Sequence, residues 1–533
     1  MKRTLICLCL ACVGGWVYAQ DIYKVENFSS EDLSGTARYV GMGGAMGSLG
    51  ADLSVMGSNP AGIGLYRKSD VSVSASMLGQ KGDFSNTKAD KLKASFDQIG
   101  FVFSTPLKSD NVRFLNFGFN YQKRKNFKNF ARLDNIALDG LSQSMEAANL
   151  GQMYGVDSYR GDYVPIADAA YNSYMFDPVY DASGHVVDWN PSHADSYNYN
   201  RTWWGGLQQY DINVSMNVKD RMYFGMTFGF YNAKWNSSVA YDEQIIDEAN
   251  NRTLPYYMDN AESITGTGFD VKFGAIFRPI EESPFRFGIS LATPTFYDLS
   301  ASSSVVMNSP YQNVDAGGAV ISERTEAGYN VGYDFRIRTP WKLGVSLATT
   351  VGTQLALGAE YEAKFMHSAY VGYPNDYRYS WGFSSTTSDP ALNNELDIYT
   401  GTVHTFKVGA ELQMAKGLFL RAGYNYVSSP FKKDAFLNYY PEEGTSLPES
   451  ATAYNAVGTD YMNIGGLSRV TGGLGYHGKH FYADAAVQYQ MQKADVYPFQ
   501  VPIDDTHYRT NAVSPKSVDL NNYRVVFTLG YKF

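Results

Sequence analysis

The residues best equipped for chemistry in this chain assemble no catalytic constellation. Its seven histidines are scattered, and only His477 and His480 lie close together, in His477-Gly478-Lys479-His480. Two imidazoles could begin a metal site, but a closed site needs further nitrogen, sulfur or oxygen ligands, and a solvated turn explains the pair equally simply. No Gly-x-Ser-x-Gly elbow and no His-Glu-x-x-His helix motif occurs. The glycine-rich run Gly41-Met42-Gly43-Gly44-Ala45 is followed by no Gly-Lys-Ser or Gly-Lys-Thr, so it does not read as a phosphate loop. Cys7, Cys9 and Cys12 all fall in the first nineteen residues. The sequence therefore implies no enzyme, no metal and no cofactor.

The elements that would carry any site are strands. From Tyr523 to Phe533 the apolar residues Tyr523, Val525, Phe527, Leu529, Tyr531 and Phe533 alternate with Arg524, Thr528, Gly530 and Lys532, and only Val526 blurs the pattern. Successive strand side chains point to opposite faces, so this segment suits either a wall between lipid and a lumen or the half-buried edge of a soluble sandwich. The same alternation recurs at about 69–78, 96–105, 112–122, 207–218, 221–232, 266–278, 284–297, 330–349, 353–366, 402–413, 417–428, 467–476, 480–490 and 523–533. Two strands separate the faces clearly. Phe269, Val271, Phe273, Ala275 and Phe277 oppose Asp270, Lys272, Gly274 and Arg278, while Leu355, Leu357, Ala359, Tyr361 and Phe365 oppose Gln354, Gly358, Glu360, Glu362 and Lys364. Acids and bases mix on the inward set, which implies internal pairing.

The links between these segments decide between the alternatives. Short turns such as Val218-Lys219-Asp220-Arg221 alternate with long links at about 79–95, 123–206, 233–265, 298–329, 367–401, 429–466 and 491–522. Short-long alternation over an even strand number is the pattern of an outer-membrane barrel. The fold class is thus all-β, a transmembrane antiparallel β-barrel of about fourteen strands spanning residues 69–533. In the longest link, Asp134-Asn135 precedes Ile136, Leu138, Leu141, Met145 and Leu150, spacing that predicts a short amphipathic helix reaching Met153 over the barrel mouth.

Export is written at the start. Lys2 and Arg3 precede an apolar run from Leu5 to Val17 ending in Val17-Tyr18-Ala19, which reads as a signal peptide over residues 1–19. A lipid anchor at Cys12 is the rival reading, weakened by Cys9 at the position where leucine is usual. No later stretch approaches the roughly twenty apolar residues of a spanning helix. With 42 Tyr, 31 Phe and 7 Trp in 533 residues, yet a mean hydropathy of -0.29, the chain is aromatic-rich and hydrophilic, as when lumen and loops dilute a lipid-facing band. A formal charge of -9 argues against a nucleic-acid partner.

Residues 20–68 do not alternate and are rich in glycine, as a compact plug inside a lumen requires. They end in Ser58-Asn59-Pro60-Ala61-Gly62-Ile63-Gly64-Leu65-Tyr66. Asn favours a turn, Pro fixes its own backbone, and Ala leaves room for close packing. With the leader, the glycine-rich segment, some fourteen strands and a terminal Phe, this motif makes the chain resemble the FadL, OmpP1 and TodX family of outer-membrane transporters for long-chain fatty acids and other hydrophobic compounds.

That resemblance implies that Asn59, Pro60 and Ala61 close an N-terminal hatch. It also implies that a hydrophobic small molecule is caught by extracellular loops, held in a pocket beside the N-terminus, and released sideways at a kinked third strand, where Gly118 is the candidate bend. The expected partners are this ligand, outer-membrane lipid, and the barrel-assembly machinery acting on Tyr531 and Phe533. Some relatives serve instead as shuttles for secreted proteins, so a protein-partner role for a barrel of this type stays open beside transport.

Overall fold

The computed structural model describes residues 21–533 except 81–91, 158–161, 248–250, 311–312, 315–319, 323–324, 379–383, 434, 438–455 and 503–510. The leader expected over residues 1–19, the alternative anchor at Cys12 and most of the link at 79–95 lie outside the described residues.

Fourteen antiparallel strands form the wall. They are β1 (Asp70–Gln80), β2 (Leu92–Pro106), β3 (Val112–Asn126, continued by Asn129–Ala137), β4 (Ala194–Val218), β5 (Met222–Asp247), β6 (Arg252–Phe277) and β7 (Arg286–Ala292 and Phe296–Ser309). The rest are β8 (Thr325–Arg338 and Lys342–Val351), β9 (Leu355–Phe365 and Tyr370–Arg378), β10 (Thr402–Ala415), β11 (Leu418–Val427), β12 (Tyr461–His477), β13 (Phe481–Tyr497) and β14 (Asn522–Lys532). Each pairs with its chain neighbour, and β14 returns to β1 from Asp70↔Lys532 to Gln80↔Asn522. Closure removes the unpaired edge that lipid would not tolerate.

The alternation has the orientation read from the sequence. Phe269 and Phe273 are exposed while Asp270 and Lys272 are buried, and Phe527 and Leu529 face out while Arg524 and Thr528 face in. Val526, the exception in β14, is fully buried and packs on the N-terminal segment through the cluster of Val40, Met42 and Met56. The inward charges pair, as in Lys272–Asp270 at 2.5 Å and Lys407–Glu360 at 2.8 Å.

Three expectations change. The long link at 233–265 is largely wall, and so are both ends of 123–206, because β4, β5 and β6 run for 25 or 26 residues, well beyond the about 9–11 that a bilayer needs. Beyond the apolar band the period of two persists but inverts: Trp235, Val239 and Tyr241 point inward and are buried. The helix expected after Asp134-Asn135 begins later, at α3 (Gln143–Tyr154), where Ser142 caps it by accepting from the Ser144 amide at 3.1 Å. Asp134 and Asn135 lie in the continuation of β3. Lastly, β7 and β8 are each interrupted where uniform strands were expected, at Thr293–Thr295 and Thr339–Trp341. Pro294 and Pro340 have no backbone N–H for the ladder.

Inside the ring sits the N-terminal segment, with α1 (Ile22–Ser29), α2 (Ala37–Gly41) and two 3-10 turns, Leu53–Gly57 and Pro60–Leu65. Over the opposite mouth lie α3, α4 (Pro165–Asn172) and α5 (Pro390–Tyr399). The segment approaches the wall so closely that its contact positions exclude a Cβ. One built on Gly423 would lie 2.2 Å from the Gly43 amide nitrogen, and one on Gly274 would lie 2.1 Å from Asn59 Oδ1. Overpacking of this kind costs about 1–3 kcal/mol. Gly274→Ala is therefore expected to lower stability by about that amount in urea unfolding, whereas Gly332→Ala, whose nearest neighbour is 3.8 Å away, should stay within about 0.5 kcal/mol of the parent.

Candidate functional site

Asn59 caps the second 3-10 turn, its Oδ1 accepting from the Ala61 amide at 3.2 Å, and Pro60 follows as the first residue of that turn. The Pro60 carbonyl accepts from Ser215 Oγ at 2.9 Å and Asn213 Nδ2 at 3.4 Å, both on β4. Ala61 is fully buried against Tyr223 and Ile276 of β5 and β6. The tripeptide thus meets three neighbouring strands. Asn59 Nδ2 is buried without a hydrogen-bond partner.

Charge fixes the remainder of the segment. Arg38 of α2 makes two parallel bonds of 2.8 Å to Glu411 of β10, and Glu411 also accepts from Arg421 Nε at 2.6 Å. Arg421 in turn donates to Asp484 at 2.6 Å, and Asp484 meets His477 at 3.1 Å. On the other side Glu31 joins Arg124 of β3 and Lys342 of β8. Burial would raise the Glu31 pKa, but Arg124, Lys342 and Lys364 outweigh burial and hold this carboxyl well below the usual range.

Between this segment and the mouth cover lies a cavity of about 320 Å³. Tyr23 and Lys24 of α1 line it from below, with Phe127, Trp203, Trp235, Phe431, Tyr461 and Met462 around it. Two ion pairs lie on its wall: Lys24 meets Glu262 at 2.7 Å, and Arg201 meets Asp460 at 2.6 Å. Trp235 Nε1, Asn260 Nδ2 and Ser303 Oγ, on β5, β6 and β7, have no hydrogen-bond partner. An apolar molecule with a polar end would find an aromatic wall and spare donors here. None of these residues was singled out from the sequence, because Tyr23 and Lys24 fall in the stretch taken as the plug and the others in stretches taken as loops. The inverted alternation around Trp235 was the one local signal available.

The sequence candidates are dispersed. Asn59, Pro60 and Ala61 lie on the far side of the segment from this cavity, beside β4, β5 and β6. Gly118 pairs in register with Val102 and Asn213, and the irregularities of β3 fall instead at Val112/Phe114 and Lys123/Lys125. A Cβ on Gly118 would lie 2.3 Å from Met56 Cε, so the position gives room to the N-terminal segment. Tyr531 and Phe533 stack at the other rim. His477 and His480 diverge, the second meeting the Lys532 carbonyl at 3.0 Å. Among the described residues no group of three or more His, Cys, Asp or Glu could hold a metal ion.

A closed fourteen-stranded antiparallel barrel with an occupied lumen defines an outer-membrane barrel. Its fold is that of the FadL homologues. A Pseudomonas aeruginosa FadL homologue matches over 94% of this chain and 99% of its own, with a TM-score of 0.50 and 11% identity. The Pseudomonas putida toluene transporter TodX covers the same shares at 0.46 and 12%, and the Ralstonia pickettii toluene transporter TbuX at 0.46 and 13%. No family model and no curated protein matches the sequence.

The mouth cover carries a titratable group. Glu146 of α3 is fully buried, and burial pushes its pKa up to about 8 against weaker hydrogen bonds from Thr459 and Gln143. The folded cover favours the neutral acid. Its contribution is fully present below the ordinary value of 4.5 and is lost as pH rises through about 8, a change on the order of a few kcal/mol. Hydrogen exchange of Gln143–Tyr154, corrected for intrinsic rate, is expected to quicken between pH 6 and pH 8.5, and Glu146→Gln should flatten that dependence.

Proposed function

We propose that this protein carries hydrophobic compounds, long-chain fatty acids among them, across the bacterial outer membrane. The aromatic-lined cavity beside α1 carries this reading: its volume lies within the about 300–1,000 Å³ of small-molecule sites. The fold supports it, and so does the occupied lumen, which suits a bound intermediate better than bulk water. In this reading Asn59, Pro60 and Ala61 anchor the hatch to β4, β5 and β6, while lateral passage through the wall returns the ligand to lipid. Outer-membrane lipid contacts the apolar band, and Tyr531 and Phe533 present the last strand to the assembly machinery.

A second reading, docking of a secreted protein, draws support from the exposed hairpin Phe176–Tyr180 and Val186–Pro191, where Tyr180 and Val187 are 58% and 56% exposed. The same surface serves ligand capture, so the acyl-binding measurement separates the two.

Native mass spectrometry of delipidated protein titrated with oleate is expected to show one saturable acyl chain. Trp235→Ala should weaken it on the order of ten- to hundredfold, the cost of removing a large apolar contact. Asn59→Ala should reduce uptake by cells more than it reduces binding. Absence of binding by an intact barrel, with a secreted protein recovered alongside, would overturn the transport reading.

A further inference from the structure

Three arginines stand side by side where β5, β6 and β7 meet their short turns. Met222 pairs with Phe277, and Phe277 with Phe287, so the next position along each strand sets Arg221 opposite Arg278 and Arg278 opposite Arg286. The Arg278 amide donates to the Arg221 carbonyl at 2.7 Å, which carries the ladder to that level. Strand side chains alternate with a period of two. Tyr223 and Ile276 are buried against Ala61, and a Cβ on Gly288 would lie 2.5 Å from Ser48 Oγ, so these three positions face the lumen. The arginines, two residues from each, share that face at the turn end of the barrel, away from the helical mouth cover.

Like charges directly opposite one another in a sheet are destabilising, and carboxylates do little to offset this row. Arg278 donates from Nε to the Ser283 carbonyl at 2.8 Å and from Nη2 to the Glu281 carbonyl at 2.6 Å. Arg221 donates to the Pro279 carbonyl at 2.7 Å and reaches the Glu281 carboxylate only at 4.0 Å, where that side chain is 83% exposed. Asp220, the acid of the neighbouring turn, is taken by Arg67 at 3.0 Å and by Asn217 Nδ2 at 2.8 Å. Arg67 and Arg278 both act on Arg286 as like charges. Arg286 donates from Nη1 to the Leu49 carbonyl at 3.1 Å, and its Nε is buried with no hydrogen-bond partner among the described residues.

Backbone carbonyls satisfy guanidinium protons without cancelling their charge. Lys219 adds to the excess, against Asp220, Glu281 and Glu282 as the acids of the two turns. Neighbouring strands lie about 4.8 Å apart, close enough for adjacent guanidinium forks to hold one oxyanion between them. A tetrahedral phosphate presents oxygens in more directions than the two coplanar ones of a carboxylate, and so suits forks set side by side. The flank of the row is apolar: Met222, Phe285 and Ile289 are exposed there, and Ile280 at the turn is 60% exposed.

We propose that Arg221, Arg278 and Arg286 form a binding site for a phosphate oxyanion at the turn-side rim, which in an outer-membrane barrel faces the periplasm. The phosphate is either the free ion or the headgroup of a phospholipid whose chains lie on the apolar flank. It supplies the counter-charge the row lacks, and through Arg286 it ties the β6–β7 turn to Leu49 of the N-terminal segment. The site requires the closed wall alone and stands apart from the transport reading.

Native mass spectrometry of the delipidated barrel tests it, with inorganic phosphate in one arm and phosphatidylglycerol in the other. One equivalent of at least one probe is expected to bind saturably, and Arg286→Gln should weaken it about tenfold or more, as loss of a charged hydrogen bond does. Arg286→Lys keeps the charge without the fork and is expected to fall between. Lys479→Gln, which removes an exposed cation from another turn of the same rim, should leave binding unchanged. Displacement of phosphatidylglycerol by excess inorganic phosphate would support recognition of the oxyanion itself, and its retention would support the lipid headgroup. Thermal melting checks that each variant is folded, and the bound probe should raise the melting temperature of the parent but not of Arg286→Gln. Binding of neither probe by the folded parent, or equal weakening by Arg286→Gln and Lys479→Gln, would overturn the site.

Discussion

In hydrocarbon every backbone N–H and C=O must find a partner within the protein, and the rest of this molecule follows from that requirement. The ladder from β1 round to β14 meets it by closing on itself. A ring of fourteen strands, however, is wider than the roughly eight whose side chains fill their own interior. The excess volume is taken up by residues 21–66, whose second helix and two 3-10 turns pack on strands of the wall. Wall and segment are therefore one packing problem, solved where the wall presents glycine to the segment's backbone.

Filling a lumen that carries charged side chains raises a second requirement, because a buried charge left unpaired is costly. The segment supplies the missing partners. Arg38 enters a run of alternating charge through Glu411 and Arg421 to Asp484, and Glu31 neutralises cations from β3 and β8. Displacing the segment would strand these groups, which favours local adjustment of α1 over expulsion of the whole element.

Much of the barrel was legible in the sequence because lipid outside and polar groups inside impose a period of two, and β6, β9 and β14 show it residue by residue. The signal faded where the constraint did. Above the membrane the outer face of β4, β5 and β6 is wet and the inner face apolar, so stretches around Trp203 and Trp235 read as loops although they are wall. Asp134-Asn135 has the composition of a helix cap, but those residues form a bulge within the continuation of β3, and Ser142 takes the role. Arg221, Arg278 and Arg286 were visible, yet that they form one row depends on three strand ends lying side by side, which no single segment reports.

By itself the sequence determined the local facts: strand-forming alternation, the order of short and long links, a glycine-rich stretch ending in Asn59-Pro60-Ala61, and an acidic, cysteine-poor body. These need only neighbouring residues to be expressed. The tertiary structure alone decided which glycines meet the segment, which acids and bases pair, and that the aromatic cavity lies beside α1. Each of those depends on contacts between residues hundreds of positions apart, brought together only when β14 closes on β1.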